Sequence, residues 1–419
     1  MYKEITSCRI CGNTNLVSLI YLGEQALTGV FPRNKGDKIT SGPLELVKCH
    51  PATEKDVVCH LVQLRHSYDS REMYGLNYGY RSGLNPSMVE HLKSVVQCIL
   101  ATVNLEKGDL IIDIGSNDST LLQHYPTDKG YELTGIDPTG AKFKPYYPPS
   151  IKLIPDFFSS ELVKNFFSGK KVKVITSIAM FYDLEDPVAF VKNIHTALAD
   201  DGIWIFEQSY LPSMLETNAY DTICHEHLEY YALYQVKYIL DKVGFRIVNV
   251  VSNDVNGGSF RVTAAKGNSG YPVDKSVMEH VEAEKKLQLD TLKPYEEFRK
   301  KVEMHKKSFI SLIHGIKEKG KLICGYGAST KGNVILQYCG ISAQDIPFIA
   351  EVNEDKYGSF TPFTHIPIIS EKEARAKMPD YFLVLPWHFR KGIIEKEKKF
   401  LKSGGKFIFP LPEIEVVGL

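Results

Sequence analysis

Residues 220–233 read "YDTICHEHLEYYAL", with two histidines and two acids between His225 and Glu229 and tyrosines on both sides. A polar helix start could carry such a run as solvated charge. The same residue types also suit proton transfer: an imidazole base, a carboxylate to orient it, and phenols to hold a substrate oxygen. Other residues in the chain have to decide between these readings.

The stretch "LIIDIGSNDSTLL" (110–122) is a buried strand that runs into Asp113, Gly115, Ser116, Asn117 and Asp118 before a helix start. A class I methyltransferase binds S-adenosylmethionine (SAM) with a D/E-x-G-x-x-x-G turn of this kind, glycine letting the backbone approach the ligand at the carboxyl ends of the strands. Ser119 stands where the last glycine is expected. One strand later "YELTGIDPTG" ends in Asp137 and Pro138, and an acid there suits the two ribose hydroxyls. Phe157 and Phe158 follow the third strand and are placed to flank the adenine. Ser177 to Phe181, including Met180, end the fourth strand and are placed to line the cofactor. As plain structure, Asp113 reads as a helix cap and Asp137 as a turn residue.

A second strand–loop–helix, "CGYGASTKGN", brings Gly325, Gly327, Ser329, Thr330, Lys331 and Gly332 together. Amides and a lysine at a helix start suit an anion such as a diphosphate, and the bland alternative is a tight turn. It is not a Walker loop. In "LPWHFR", Trp387, His388 and Arg390 end another strand, where a base could stack or a phosphate pair.

Near the N-terminus, Cys8 and Cys11 form a C-x2-C knuckle, and Cys49 and Cys59 follow at wider spacing. Four thiolates suit a closed, tetrahedral structural Zn²⁺, with His50 and His60 as possible substitutes. Two unrelated reduced cysteine pairs are the plainer reading.

These residues need elements to position them. The chain has 419 residues, 43% apolar and 24% charged, with 50 basic and 50 acidic side chains. That balance gives ample core material for two or three domains and argues against a nucleic-acid binder. There is no signal-peptide h-region and no apolar run long enough for a membrane span, so a cytoplasmic protein without membrane association is expected. We expect an α/β chain in three parts. They are a small zinc-binding domain (1–82), a Rossmann-like class I methyltransferase domain (83–266), and a helical connector with a C-terminal Rossmann-like domain (267–419). Alternating strands and amphipathic stretches predict parallel sheets in the last two. Residues 274–320 predict a long helical connector broken at Pro294.

Three features in this order resemble the SAM-dependent sugar C-methyltransferases of deoxysugar biosynthesis. The matching segments span nearly the whole chain: "CRICG", "LVQL", "YGYRSGLNPSM", "DIGSNDSTLL", "YDTICHEH", "NGGSFR", "GYGASTKGN", "THIPI" and "LVLPWHF". The resemblance implies a nucleotide-linked 4-keto-6-deoxy sugar that loses a proton from C3 and is methylated there. It implies that His227 is the general base and Glu226 its acidic neighbour, with Tyr78 or Tyr80 an active-site phenol. Asn256 and Arg261 of "NGGSFR" would join Ser329, Thr330, Lys331, Trp387 and His388 at the substrate. Cys224 stands where the family pattern has tyrosine, and Phe181 about where some members carry a helper histidine. An enolate needs a hydrogen-bond donor, for which Tyr or His225 would serve.

Rival readings are a sugar O-methyltransferase, an NAD-dependent nucleotide-sugar oxidoreductase or epimerase, and a non-catalytic zinc scaffold retaining SAM. A monomer or weak homodimer is expected.

Overall fold

The computed structural model describes residues 2–73 and 80–418. Its centre is a seven-stranded sheet whose strands we label β1 (Leu110–Ile114), β2 (Glu132–Ile136), β3 (Ile151–Ile154), β4 (Val172–Ile178), β5 (Leu198–Ser209), β6 (Phe245–Asn253) and β7 (Ser259–Lys266). They lie in the order β6-β7-β5-β4-β1-β2-β3. The first five run parallel, and β7 is antiparallel to both β5 and β6. The near-continuous apolar run of β1, all five residues buried, is what a strand covered on both faces requires. The order reverses between β1 and β4, so a crevice opens at their carboxyl ends.

The C-terminal sheet repeats this plan. Its strands, in spatial order, are Ile368–Ser370, Ile349–Glu351, Ile323–Tyr326, Tyr381–Val384, Lys406–Phe409 and the antiparallel Glu415–Val417. Numbered within the sheet this is 3-2-1-4-5-6, the doubly wound order, with its own reversal between Ile323–Tyr326 and Tyr381–Val384.

The N-terminal sheet is completed from elsewhere. Strands Leu16–Ala26, Ser41–Cys49 and Val62–Leu64 are joined at the edge by Glu229–Tyr230, from the His-Glu-His segment. Glu229 pairs with Gln63 and Tyr230 with Val62.

The connector is two helices, Lys275–Lys286 and Lys293–Glu318. Pro294 sits in the first turn of the second, where its missing N–H costs nothing, and the break lies just before it. Tyr295, Phe298, Val302, His305, Phe309, Ile313 and Ile316 recur at three- and four-residue spacing and are buried in the chain's own core. No helix among the described residues is long and apolar enough to cross a membrane.

The first and last units are stitched together by backbone-mimicking amides. Gln337, on the helix Thr330–Cys339, accepts from the Ala26 N–H at 2.8 Å and donates to the Ala26 carbonyl at 3.2 Å. Asn333 Nδ2 donates to the Thr28 carbonyl at 2.7 Å. Gln337→Ala would strand both backbone groups of buried Ala26. A loss of about 1–3 kcal/mol is expected in urea unfolding, and no measurable loss would show that this seam carries no weight.

Candidate active site

A single cavity of about 1290 Å³ is walled by all three units. The His-Glu-His segment forms part of its floor. His227 Nδ1 lies 2.9 Å from the Thr222 carbonyl. A carbonyl only accepts, so Nδ1 carries the proton and Nε2 is left as the acceptor. The Tyr182 ring meets the imidazole edge-on at 4.3 Å. Burial, aided by the Lys331 ammonium, pushes the His227 pKa down to about 3, so the ring is neutral at ordinary pH.

Glu226 also lines the cavity. Its Oε2 accepts from the Thr28 hydroxyl at 3.2 Å, and burial raises its pKa. A Cβ at Gly29 would come within 2.4 Å of Glu226 Oε1, so a larger residue there would displace this carboxylate from its position. Thr330 Oγ1 lies 3.6 Å from the same Cβ position, which puts the C-terminal helix start on the other side. Lys331 Nζ donates to the Asn256 carbonyl at 2.7 Å, and Trp387 Nε1 to Asp221 Oδ2 at 2.7 Å.

One end of the cavity is built at the carboxyl ends of β1, β2 and β4. Asp113, Gly115, Ser116, Asn117, Asp137, Pro138, Phe157, Phe158 and Met180 all line it. Gly115 has φ 68°, and a Cβ there would press to 3.2 Å from Met180. Asn117 and Ser119 also take positive φ, 49° and 62°. Ser119 thus accepts the left-handed conformation that a glycine would adopt freely, at a cost of roughly 1 kcal/mol. Asp137 Oδ2 accepts the Asn117 N–H at 2.7 Å, tying the loop to the end of β2. Burial pushes the Asp113 carboxyl up to about 7. The glycine-opened loop, the strand-end acid and the aromatic wall fit the methionine, ribose and adenine parts of SAM respectively.

Several expected residues lie elsewhere. Asp118 does not line the cavity. Its carboxylate accepts from the Gly83 N–H at 2.9 Å and the Thr120 hydroxyl at 2.5 Å, pinning the segment that contains Tyr80 and Arg81 over the loop. Ser177 is buried and accepts from Trp204 Nε1 at 2.9 Å. Phe181 is core, stacked on Tyr231 at 5.2 Å. Cys224 is fully buried in an apolar cluster, and His225 packs edge-on against Tyr68 at 4.6 Å, away from the cavity. Arg261 lies on β7 outside the lining. Tyr80 lines the cavity; Tyr78 falls outside the described residues. Asn256, Ser329, Thr330, Lys331, Trp387, His388 and Arg390 line the opposite wall.

Some lining residues carried no sequence signal. Gln208, at the end of β5, is buried with both amide atoms unpartnered. Glu207 beside it binds His91 Nε2 at 2.6 Å and Asn253 Nδ2 at 3.0 Å. Glu351 ends the second strand of the C-terminal sheet. They sit at strand ends without a recognisable motif, and only the strand order brings them to the cavity.

The four cysteines Cys8, Cys11, Cys49 and Cys59 converge with all sulfurs within 4.8 Å and no disulfide. Cys8–Cys59 and Cys11–Cys49 sulfurs are 3.4 and 3.5 Å apart. Tetrahedral Zn–S bonds of about 2.3 Å require sulfurs about 3.8 Å apart. The set therefore fits Zn²⁺ with four thiolates, and His50 and His60 are not needed. Within the knuckle, Arg9 donates to the Leu64 carbonyl at 2.7 Å and lies 3.7 Å from the buried Glu229 carboxylate. The metal site thereby holds the edge on which the His-Glu-His segment is hung.

Two measurements test this geometry. Cys11→Ser should drop bound zinc from roughly one per chain to near none and cost several kcal/mol of stability. Full zinc retention by metal analysis would contradict a four-cysteine site. For His225, burial lowers the folded pKa to about 4 from 6.5. A depressed histidine pKa contributes stability above 6.5 that is lost as pH falls towards 4. His225→Phe should therefore gain relative to the wild type across that window, on the order of 3 kcal/mol at most, and show no pH trend above 7.

Comparison with known proteins agrees with this architecture. A zinc binding domain model matches residues 8–74, a methyltransferase domain model residues 59–250, and a C-methyltransferase C-terminal domain model residues 254–412. The C-methyltransferase NovU of Streptomyces niveus is 30% identical over 418 residues, covering 99% of this chain and 97% of that protein. Among solved structures, the magnesium protoporphyrin IX methyltransferase ChlM of Synechocystis PCC 6803 with bound SAM is 16% identical. The overlap covers 42% of this chain and 79% of that one at TM-score 0.32. The CurJ carbon methyltransferase is 14% identical over 45% of this chain and 57% of that one, TM-score 0.35. These structural overlaps are partial, and the fold rests on the strand order given above. By its full-length match and the cavity it builds, the chain belongs to the C-methyltransferase family and is a SAM-dependent methyltransferase with an N-terminal zinc-binding unit.

Proposed function

We propose that the chain methylates C3 of a nucleotide-linked 4-keto-6-deoxy sugar, with His227 as the base. The observation that carries this reading is the His227 tautomer: Nδ1 is committed to the Thr222 carbonyl, so Nε2 is the proton acceptor of a cavity-lining ring. A neutral imidazole is the form that can take a proton.

Bound SAM supplies an electrophilic methyl group on its sulfonium. His227 Nε2 takes the proton from the carbon beside the ketone, and the electron pair moves to the carbonyl oxygen as an enolate. That carbon then attacks the methyl, the ketone re-forms, and the imidazolium returns its proton to water. Lys331, whose pKa burial lowers, brings its Nζ, held by the Asn256 carbonyl, to the cavity as a donor for the developing oxyanion. Gln208 supplies an unpartnered amide donor and acceptor in the same cavity. With Cys224 packed into the core, these groups take over the role of the phenol the family pattern would place there. Glu226, steadied by Thr28, faces a sugar hydroxyl. Asp137 and the Gly115 loop orient the donor. Ser329, Thr330, Trp387 and His388 meet the diphosphate and base.

His227→Ala should lower turnover on the order of 10²–10⁴-fold while S-adenosylhomocysteine binding stays near the wild-type value. Turnover within tenfold of the wild type would remove His227 from the chemistry.

A further inference from the structure

The loop after β4 runs from the Gly115 end of the cavity to the His227 imidazole. At its start Met180 packs on the loop after β1: a Cβ on Gly115 would lie 3.2 Å from Met180 Cγ. Two residues on, the Tyr182 ring meets the His227 ring edge-on, with centroids 4.3 Å apart and planes at 63°. Between them Phe181 turns the other way, stacked on Tyr231 at 5.2 Å and packed on Phe206 at 5.3 Å. Met180 and Tyr182 line the cavity, and Phe181 does not.

The chain holds Tyr182 in this place from both sides. The Ala179 N–H donates to the Glu207 carbonyl at 2.7 Å, which ties the loop to β5. The Leu228 N–H donates to the Tyr182 carbonyl at 2.8 Å, which ties it to the His-Glu-His segment. Ala179 has φ 55°, a left-handed conformation that costs an L-residue roughly 1–2 kcal/mol. Such strain persists only where the surroundings enforce it.

In the reaction proposed above, the reacting carbon lies between the methyl donor and His227 Nε2. The ketone oxygen is two bonds from that carbon, about 1.5 and 1.2 Å long, so it stays close to the side chains that touch the imidazole. Tyr182 is such a side chain, buried against the base and facing the cavity. As the proton leaves carbon, charge gathers on the oxygen. A phenol O–H can donate to it without bringing a charge of its own.

We propose that Tyr182 is a catalytic residue whose hydroxyl donates a hydrogen bond to the ketone oxygen as the enolate forms. The phenol keeps its proton throughout, and the bond slackens when the ketone re-forms. Tyr182 joins Lys331 and Gln208 at that oxygen and supplies a phenol that position 224, packed in the core, does not. This rests on the carbon-methylation reading above.

The test is hydrogen exchange without methyl transfer. The full chain, zinc-loaded and saturated with S-adenosylhomocysteine, is incubated in D₂O with each of a panel of nucleotide-linked 4-keto-6-deoxy sugars. Deuterium at C3 is followed by NMR above the enzyme-free rate, and methyl transfer is measured separately with SAM. Tyr182→Phe keeps the ring against His227 and removes only the hydroxyl. Its exchange rate and its methyl-transfer kcat should both fall about 10²–10³-fold, the cost of losing one oxyanion donor. Its KM and its S-adenosylhomocysteine affinity should stay within about threefold of the wild type, as for a bond made only in the transition state. Tyr182→His retains a donor and should keep at least about tenfold more exchange than Tyr182→Phe. Tyr182→Phe rates within about threefold of the wild type would reduce Tyr182 to a packing ring, overturning the assignment and leaving carbon methylation in place. Equal loss in the two variants would also overturn it, because position 182 would then matter by shape and not by donation. A wild type that takes up no deuterium at C3 and methylates oxygen in every one of these sugars would overturn the carbon-methylation reading, and the enolate donor with it.

Discussion

Everything in this molecule turns on a polar loop that must be dry. Asp221, His225, Glu226 and Glu229 are all within 7% of full burial. Removing a charge from water costs several kcal/mol unless it is paired or hydrogen-bonded. Partners are recruited from every part of the chain. Thr28 serves Glu226, Arg9 lies beside Glu229, Trp387 serves Asp221, and the loop's backbone pairs with Val62–Leu64. The Thr222 carbonyl accepts from both His227 and the Tyr230 hydroxyl. The loop is a site only when three units close on it.

This constraint gives the zinc site its place in function. The four cysteines lie outside the cavity lining, yet the unit they would staple around zinc provides the edge strand for Glu229–Tyr230 and the Thr28–Gly29 approach to Glu226. On the opposite side, two sheets of the same winding turn their reversal points towards the loop. In the proposed reaction one positions the methyl donor and the other the substrate, which would fix the reacting carbon between two scaffolds of packed strands.

Much of this was legible in the sequence because it is written in short, local patterns. The cysteine knuckle, the Asp113–Gly115 turn, Asp137 one strand later and the Gly-x-Gly loop each carry their chemistry within a few residues. Facing was less legible. Within "CHEH", Cys224 and His225 turn into packed cores while Glu226 and His227 turn into the cavity, and no periodicity announces which way an irregular loop will point. Asp118 and Ser177 belong to motif segments yet serve as backbone pins and core partners. Gln208, Glu207 and Glu351 were invisible because they are polar residues that merely end a strand and form no motif. Their importance comes from strand order, a non-local property. The edge pairing of Glu229–Tyr230 with the first unit is non-local in the same way.

The measurement that bears most directly on the account is product mapping by mass and NMR. SAM would be supplied with a panel of nucleotide-linked 4-keto-6-deoxy sugars in H₂O and in D₂O. A new carbon-bound methyl beside the ketone, with the original C3 proton gone, is the predicted result. A methyl found on oxygen, with the C3 proton retained, would contradict His227 as a carbon base.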